Sequence, residues 1–196
     1  ILAQSRVKYR HMMMMLIIVP MWMNFLLRTY SWMTLLEKNG LINAVLRFFH
    51  LGPVHILYTD GAVLLGLVYN FLPFMILPLY TQLIKLDGRL LEAASDLGAG
   101  PIKTFFSITL PLSKTGIVAG SMLVFVPAVG EFVIPDLVGG SDNLMIGKVL
   151  WMTFFEQNNW PLASALAVVM VLLLVVPITF YHRYENRQLE EGGKNG

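Results

Sequence analysis

Apolar residues run in four blocks long enough to cross a hydrocarbon layer, which takes about 20 residues of helix. The blocks are Met12–Leu27, Gly61–Ile84, Gly116–Pro135 and Pro161–Tyr181; the first is short unless Tyr30 and Trp32 extend it. Between the first two, Ser31–Leu57 spaces Leu41, Val45, Phe48 and Phe49 for one side of a helix, which predicts a piece lying partly in the membrane interface. Asp136–Trp160 begins at the Gly139-Gly140 turn, continues as a mildly apolar piece around Met145–Phe155, and ends at Asn158-Asn159-Trp160-Pro161. Trp32, Trp151 and Trp160 fall near the predicted outer boundaries, where amphipathic rings belong. The pattern predicts an all-α, polytopic helix bundle.

The polar interruption Leu86–Pro111 has its own grammar. Asp87 is placed to cap a short helix on which Arg89, Glu92 and Asp96 share one side. Leu90, Ala93, Ala94 and Leu97 form the opposite, apolar stripe. Gly98 stops that helix, because glycine readily takes the left-handed cap conformation. Gly100 makes a turn, and Pro101 starts a second helix at its first position. Ile102, Phe105, Phe106 and Thr109 are again spaced for one face, and Pro111 closes the segment. Two short amphipathic helices meeting at a glycine elbow make a shape built to be gripped.

Proline punctuates the spans. Pro20, Pro73, Pro78, Pro127 and Pro135 each remove a backbone donor and are expected to bend or break a membrane helix. Such breaks survive only where protein or a wet cavity receives the freed carbonyls, which favours a bundle around a pathway. Gly116-x-x-x-Gly120 lets two helices approach closely.

Composition agrees with a membrane domain: of 196 residues 56% are hydrophobic and 13% charged, with mean hydropathy +0.66. A net charge of +2 with no basic run points away from nucleic acid. Cysteine is absent, excluding disulfides and thiolate metal sites. Arg6, Lys8, Arg10, Lys85, Arg89, Lys103, Lys114, Arg183, Arg187 and Lys194 share one side of a four-span topology; only Arg28, Lys38, Arg47 and Lys148 lie across it. Lys and Arg concentrate in cytoplasmic loops, so both ends and the glycine elbow are expected inside. Residues 1–182 then form the transmembrane domain, with the loop 86–111, and 183–196 a polar, frayed cytoplasmic tail. No cleavage site follows Met12–Leu27, and Ile1–Ala3 reads as the end of an earlier span, so a missing N-terminus is expected.

Catalytic constellations are not visible. His11, His50, His55 and His182 lie at span edges or in loops, and the spacing of His50 and His55 suits no metal site. The phosphate-loop pattern is absent; Gly147-Lys148 lacks the leading glycine and the following Ser or Thr. If ATP powers the protein, another chain binds it. Glu131 is the intramembrane acid, about 28 Å up the third span at about 1.5 Å per residue, near the outer edge. Asp136, Asp142 and Glu156 follow it, and the plainer reading is that Glu131 pairs with Arg28 or Lys148 or lies close enough to water to be cheap. Trp22 is expected near the midplane of the first span, close to Pro20 and Asn24. Tyr69, Asn70, Phe71 and Phe74 bracket Pro73 in the second. Aromatic faces and carboxylates suit a slender organic polycation, but core packing explains the rings equally well.

These residues carry a resemblance. Glu92-Ala93-Ala94, three residues, Gly98, nine residues, then Ile108-x-Leu110-Pro111 resembles the EAA loop of ABC-importer permeases, matched at every fixed position. Beyond it, IIVPMWMNFLLRTYSW, GLVYNFLPFMILPLY, LLEAASDLGA and VGEFVIPDLVGG with MIGKVLW are similar to permeases of spermidine/putrescine importers. The Gly130–Gly140 run is most like the putrescine type. The resemblance implies a non-enzymatic pore subunit of the bacterial inner membrane. Its implied partners are a second permease, a homodimeric ATPase holding ATP and Mg, and a periplasmic or tethered solute-binding protein. It assigns ATPase coupling to Glu92, Ala93, Ala94, Asp96, Gly98, Ile108, Leu110 and Pro111. The candidate substrate pathway is Trp22, Tyr69, Glu131 and Asp136. Members usually have six spans, so two are expected to precede this chain. Another solute (an iron complex, an anion or an amino acid) stays open, and so do an ion-coupled secondary transporter and a non-transporting helical scaffold.

Overall fold

The computed structural model describes residues 7–140 and 143–193, and every element among them is helical. Ile1–Ala3, Arg6, Asp142 and Lys194, all named above, lie outside the described residues.

The first apolar block, Met12–Leu27, is broken at Pro20, as expected of that proline. Helix α1 (Val7–Ile18) tightens into a 3-10 turn at Val19–Trp22, and α2 (Phe25–Leu36) starts afresh. Pro20 has no N–H to give, and the Met23 N–H closes on the Pro20 carbonyl at 3.3 Å. Asn24 then caps α2, its Oδ1 accepting from the Leu26 and Leu27 amides at 2.9 and 3.4 Å. Phe25–Leu27 therefore belong to a new helix, and His11–Trp22 and Phe25–Phe48 are bent by 98° at the break. A turn at Gly40, where a Cβ would lie 2.5 Å from the Leu35 carbonyl oxygen, leads into α3 (Leu41–Phe48). Leu41, Val45, Phe48 and Phe49 are all exposed on it, as an interfacial helix requires. Buried Asn43 fixes the following loop, bonding the Val54 amide at 2.8 Å and the Val54 carbonyl at 3.0 Å.

Helix α4 (Asp60–Leu83) runs on through Pro73 and Pro78, so of the bend or break expected of these prolines it shows no break. In lipid one lost donor costs less than a break that exposes several backbone groups. The elbow follows as α5 (Gly88–Asp96) and α6 (Pro101–Thr104), a π turn at Phe105–Thr109 and α7 (Leu110–Leu112). Helix α8 (Lys114–Val129) is bent by 66° from Pro101–Leu112 and contains Pro127. It ends before Pro135, which instead lies in α9 (Val133–Val138). Next come α10 (Ile146–Trp151), a second π turn at Met152–Glu156, and α11 (Trp160–Gly193). Backbone helix thus continues to Gly193, past the start of the expected frayed tail, and Pro177 sits inside it. By length and composition α4 and Trp160–Tyr181 can each cross a membrane, and each bent pair is a broken span or a re-entrant segment. Only 6% of the apolar stretch of α11 is buried by the chain itself, leaving its surface to lipid or other protein.

The described residues fall into two compact units. One draws on residues 7–17, 72–124 and 178–193, the other on residues 18–71, 125–140 and 143–177. In the first unit the Gly116/Gly120 pair does what its spacing implies. A Cβ at Gly116 would lie 2.9 Å from the Gln82 Cβ, and one at Gly120 2.6 Å from the Met75 sulfur, so α8 packs directly on α4. The second unit closes on Leu36, Leu57, Ala62 and Val138, with Trp32 and Ile56 packed against them. Trp32 therefore helps build a core, where an anchor in an exposed belt was expected; Trp160 is exposed.

Gly120→Leu should force α8 off α4 and lower stability by about 1–3 kcal/mol. Gly88→Ala, whose Cβ would meet nothing within 4 Å, should be nearly neutral by comparison. Thermal unfolding of the purified protein in detergent compares the two.

Candidate functional site

The elbow is built by caps. Asp87 accepts from the Arg89 amide at 3.0 Å and starts α5. At its end Gly98 takes φ +76°, with its N–H on the Ser95 carbonyl and the Ala99 N–H on the Ala94 carbonyl, both at 2.9 Å. That double closure is a Schellman cap. A Cβ on Gly98 would meet nothing within 4 Å, so the constraint on this residue is conformational rather than steric. Gly100 caps α6 with Pro101 at the first position. The π turn then lengthens the step into Leu110, whose N–H bonds Phe105 five residues back, and Pro111 follows inside the last helical turn.

One face of the elbow is used and the other is left open. A groove of about 830 Å³ is lined by Tyr80, Leu83, Leu91, Ser95, Thr104 and Phe105. Of the predicted stripe Leu90, Ala93, Ala94 and Leu97, only Ala94 is buried, at 7% exposure, while Leu97 stands 88% exposed. Leu91, one position round from Leu90, is half-buried and lines the groove. The stripe is thus correct as a helical face, but this chain does not cover it. Glu92, Asp96 and Pro111 are exposed, Ile108 and Leu110 half-buried.

In the second unit the predicted pathway residues separate. Glu131 lies beyond the end of α8, in the turn before α9, and its Oε1 accepts from the Val133 and Ile134 amides at 2.9 and 3.1 Å. It acts there as a helix cap, a placement that also suits the positive end of the α9 dipole. Neither of its proposed partners pairs with it. Lys148, 4% exposed, donates to the Gly140 carbonyl at 2.6 Å and lies 3.4 Å from Asp136 Oδ1. Asp136, the more open partner, keeps 53% of its side chain exposed. Trp151 stacks on Phe132 with ring centroids 5.6 Å apart, fixing α10 against this turn.

Arg28 goes elsewhere still. Its Nε donates to Asn70 Oδ1 at 2.7 Å and its Nη1 to the Pro20 carbonyl at 2.9 Å, and the guanidinium lies 5.9 Å from the Phe25 ring centroid. Asn70 is 3% exposed and also donates to the Gly66 carbonyl at 2.8 Å. It stands ten residues into α4, about 15 Å along the axis, so a charge expected at the outer side reaches mid-span depth. One guanidinium ties the broken first span to the second. Tyr69 sits beside this clamp, edge-on to Trp32 at 5.1 Å, whereas Trp22 is 86% exposed. The clamp was missed in the sequence; its signal was an arginine eight residues past a proline, among apolar neighbours.

The chain matches known proteins over nearly its whole length. A family model described as binding-protein-dependent transport system inner membrane component matches residues 1–190. The spermidine/putrescine transport system permease protein PotB of Haemophilus influenzae is 43% identical over 188 residues, covering 93% of this chain and 66% of the relative. PotB of Escherichia coli K12 is 41% identical over 184 residues, covering 93% of this chain and 67% of the relative. The chain therefore spans about two thirds of the length of these curated relatives. Its fold is that of a bacterial alginate ABC transporter solved with an alginate pentasaccharide-bound periplasmic protein, with TM-score 0.70 and 15% identity over 95% of this chain and 68% of that one.

Asn70→Leu should leave the Arg28 guanidinium short of an acceptor at depth and cost about 1.5–3 kcal/mol, the range for hydrogen bonds to charged groups. Asn70→Asp, which keeps the acceptor, should cost less. Unfolding in detergent reads both.

Proposed function

Since the chain belongs to the family of binding-protein-dependent transport system inner membrane components, we propose that it is the pore subunit of an ATP-driven importer of polyamines. The names of its relatives support the substrate class. The elbow carries the coupling assignment: a Schellman-capped joint presents Leu90, Leu97 and Ile102 as exposed apolar residues. In this reading a partner ATPase binds ATP and Mg and grips the joint. A second permease completes the pathway, a solute-binding protein docks on the outer segments, and the elbow and both chain ends lie in the cytoplasm. Closure of the ATPase shifts the elbow, and α8, joined to it at the Ser113 bend, carries the motion on.

A second reading takes an anionic solute and has Arg28 in its favour, a cation at span depth. Asn70 and the Pro20 carbonyl already claim that guanidinium, so the polyamine reading is preferred.

The test is reconstitution of the permease with its partners in vesicles. Binding protein loaded with putrescine or spermidine should raise ATP turnover and drive uptake; stimulation by an anion alone would overturn the substrate assignment. Gly98→Asp forces a side chain into left-handed backbone, at about 1–2 kcal/mol, and sets a carboxylate into the open space over the joint. It should insert normally but lose both uptake and coupled hydrolysis. Glu131→Gln keeps an oxygen for the two amides it caps and removes only the charge. A rise in the amine concentration needed for uptake would place Glu131 on the pathway, and no change would confine it to the cap.

A further inference from the structure

The buried ammonium of Lys148 is not needed to dock α10. A Cβ at Gly147 would lie 2.7 Å from the carbonyl oxygens of both Gly130 and Glu131, so that helix already presses on the turn, and the Phe132–Trp151 stack holds its other end. Taking an ammonium out of water is costly, and an apolar side chain of similar volume usually does as well for stability. Yet Lys148 keeps only 5% of its side chain in contact with solvent. Among the described residues its Nζ donates a hydrogen bond to the Gly140 carbonyl and makes an ion pair with the Asp136 carboxylate at 3.4 Å.

Chemically, a lysine side chain is an alkylammonium on a four-carbon stem, the same group that ends a linear polyamine. Whatever holds Lys148 Nζ is therefore an alkylammonium site. Its carbonyl comes from Gly140, which takes φ +71° with its backbone against Tyr58. Its carboxylate, Asp136, is half open on the other side, where a second ammonium can reach it before Lys148 leaves. The same turn offers another oxygen: Asn143 packs against Gly139 and donates to Asp60 at 2.8 Å, and its Oδ1 is buried with no partner among the described residues.

We propose that Asp136 and the Gly140 carbonyl form an ammonium-binding site for the imported amine, and that Lys148 is its built-in competitor. An arriving ammonium shares Asp136 and loosens the lysine's hold. A solute with one charge gains little, because the displaced Lys148 has no water to return to. A solute with two or more ammonium groups offsets that cost through its second contact. The competitor thereby selects for polyamines over monoamines and inorganic cations. This inference rests on the polyamine reading above.

The experiment uses the complete reconstituted transporter and measures uptake of labelled putrescine against concentration, with butylammonium as inhibitor. Lys148→Met keeps length and removes charge. It should lower the half-saturating putrescine concentration roughly threefold to tenfold, as expected for a partly exposed ion pair, and should make uptake newly sensitive to butylammonium. Lys148→Arg should stay near the wild type. Asp136→Asn, nearly isosteric, should raise the half-saturating concentration by a similar factor, and serves if the methionine variant does not assemble. A fall in maximal rate with half-saturation and butylammonium response unchanged would make the pair a structural tie and overturn the inference alone. Absence of amine uptake by the wild type would overturn both the inference and the polyamine reading beneath it.

Discussion

At three places where this chain leaves helix geometry, backbone groups that hydrocarbon cannot satisfy are freed, and polar side chains answer them. At the first break, Asn24 takes two amides of α2, and Arg28 takes the Pro20 carbonyl. At the Ser113 bend, the Ser113 hydroxyl donates to the Thr109 carbonyl at 2.6 Å and Gln82 donates to the Leu112 carbonyl at 3.2 Å. Beyond α8, Glu131 takes two amides of α9. The polar residues in an otherwise greasy sequence thus serve first to let helices stop and turn inside a membrane protein.

That accounting changes how the charged residues are read. A carboxylate near a span end looks like a ligand until its amide partners are seen, and an arginine looks like a loop residue until it is found at mid-span depth. Lys148 is a partial exception. It answers the Gly140 carbonyl beyond α9, but it also faces the Asp136 carboxylate, and its burial is not explained by docking, so its charge calls for a further purpose. In the first unit the open stripe of the elbow is the corresponding surplus: apolar residues at helical spacing that the chain itself leaves uncovered. A face of that kind, on a joint fixed by backbone hydrogen bonds, is suited to receive a partner and to move as one piece.

Much was legible beforehand because it depends on local rules. The caps at Asp87 and Gly98, the helix start at Pro101 and the close approach at Gly116 and Gly120 all follow from backbone preferences of single residues, and all were found where expected. The exposed apolar side of α3 follows likewise from spacing. The prolines were less obedient. Pro20 breaks its helix, where Asn24 stands ready to cap the next, while Pro73 and Pro78 sit inside an unbroken one.

What the sequence determined by itself is the set of segments, their faces and the joint between α5 and α6, since hydrophobic spacing and capping act over a few residues. Tertiary structure alone decided the pairings across long separations: Arg28 with Asn70, Lys148 with Asp136 and Gly140, Gln82 with the Leu112 carbonyl. An ionised or amide side chain has several partners within reach of its composition. Which one it meets depends on how the breaks fold the helices back, and no local pattern records that.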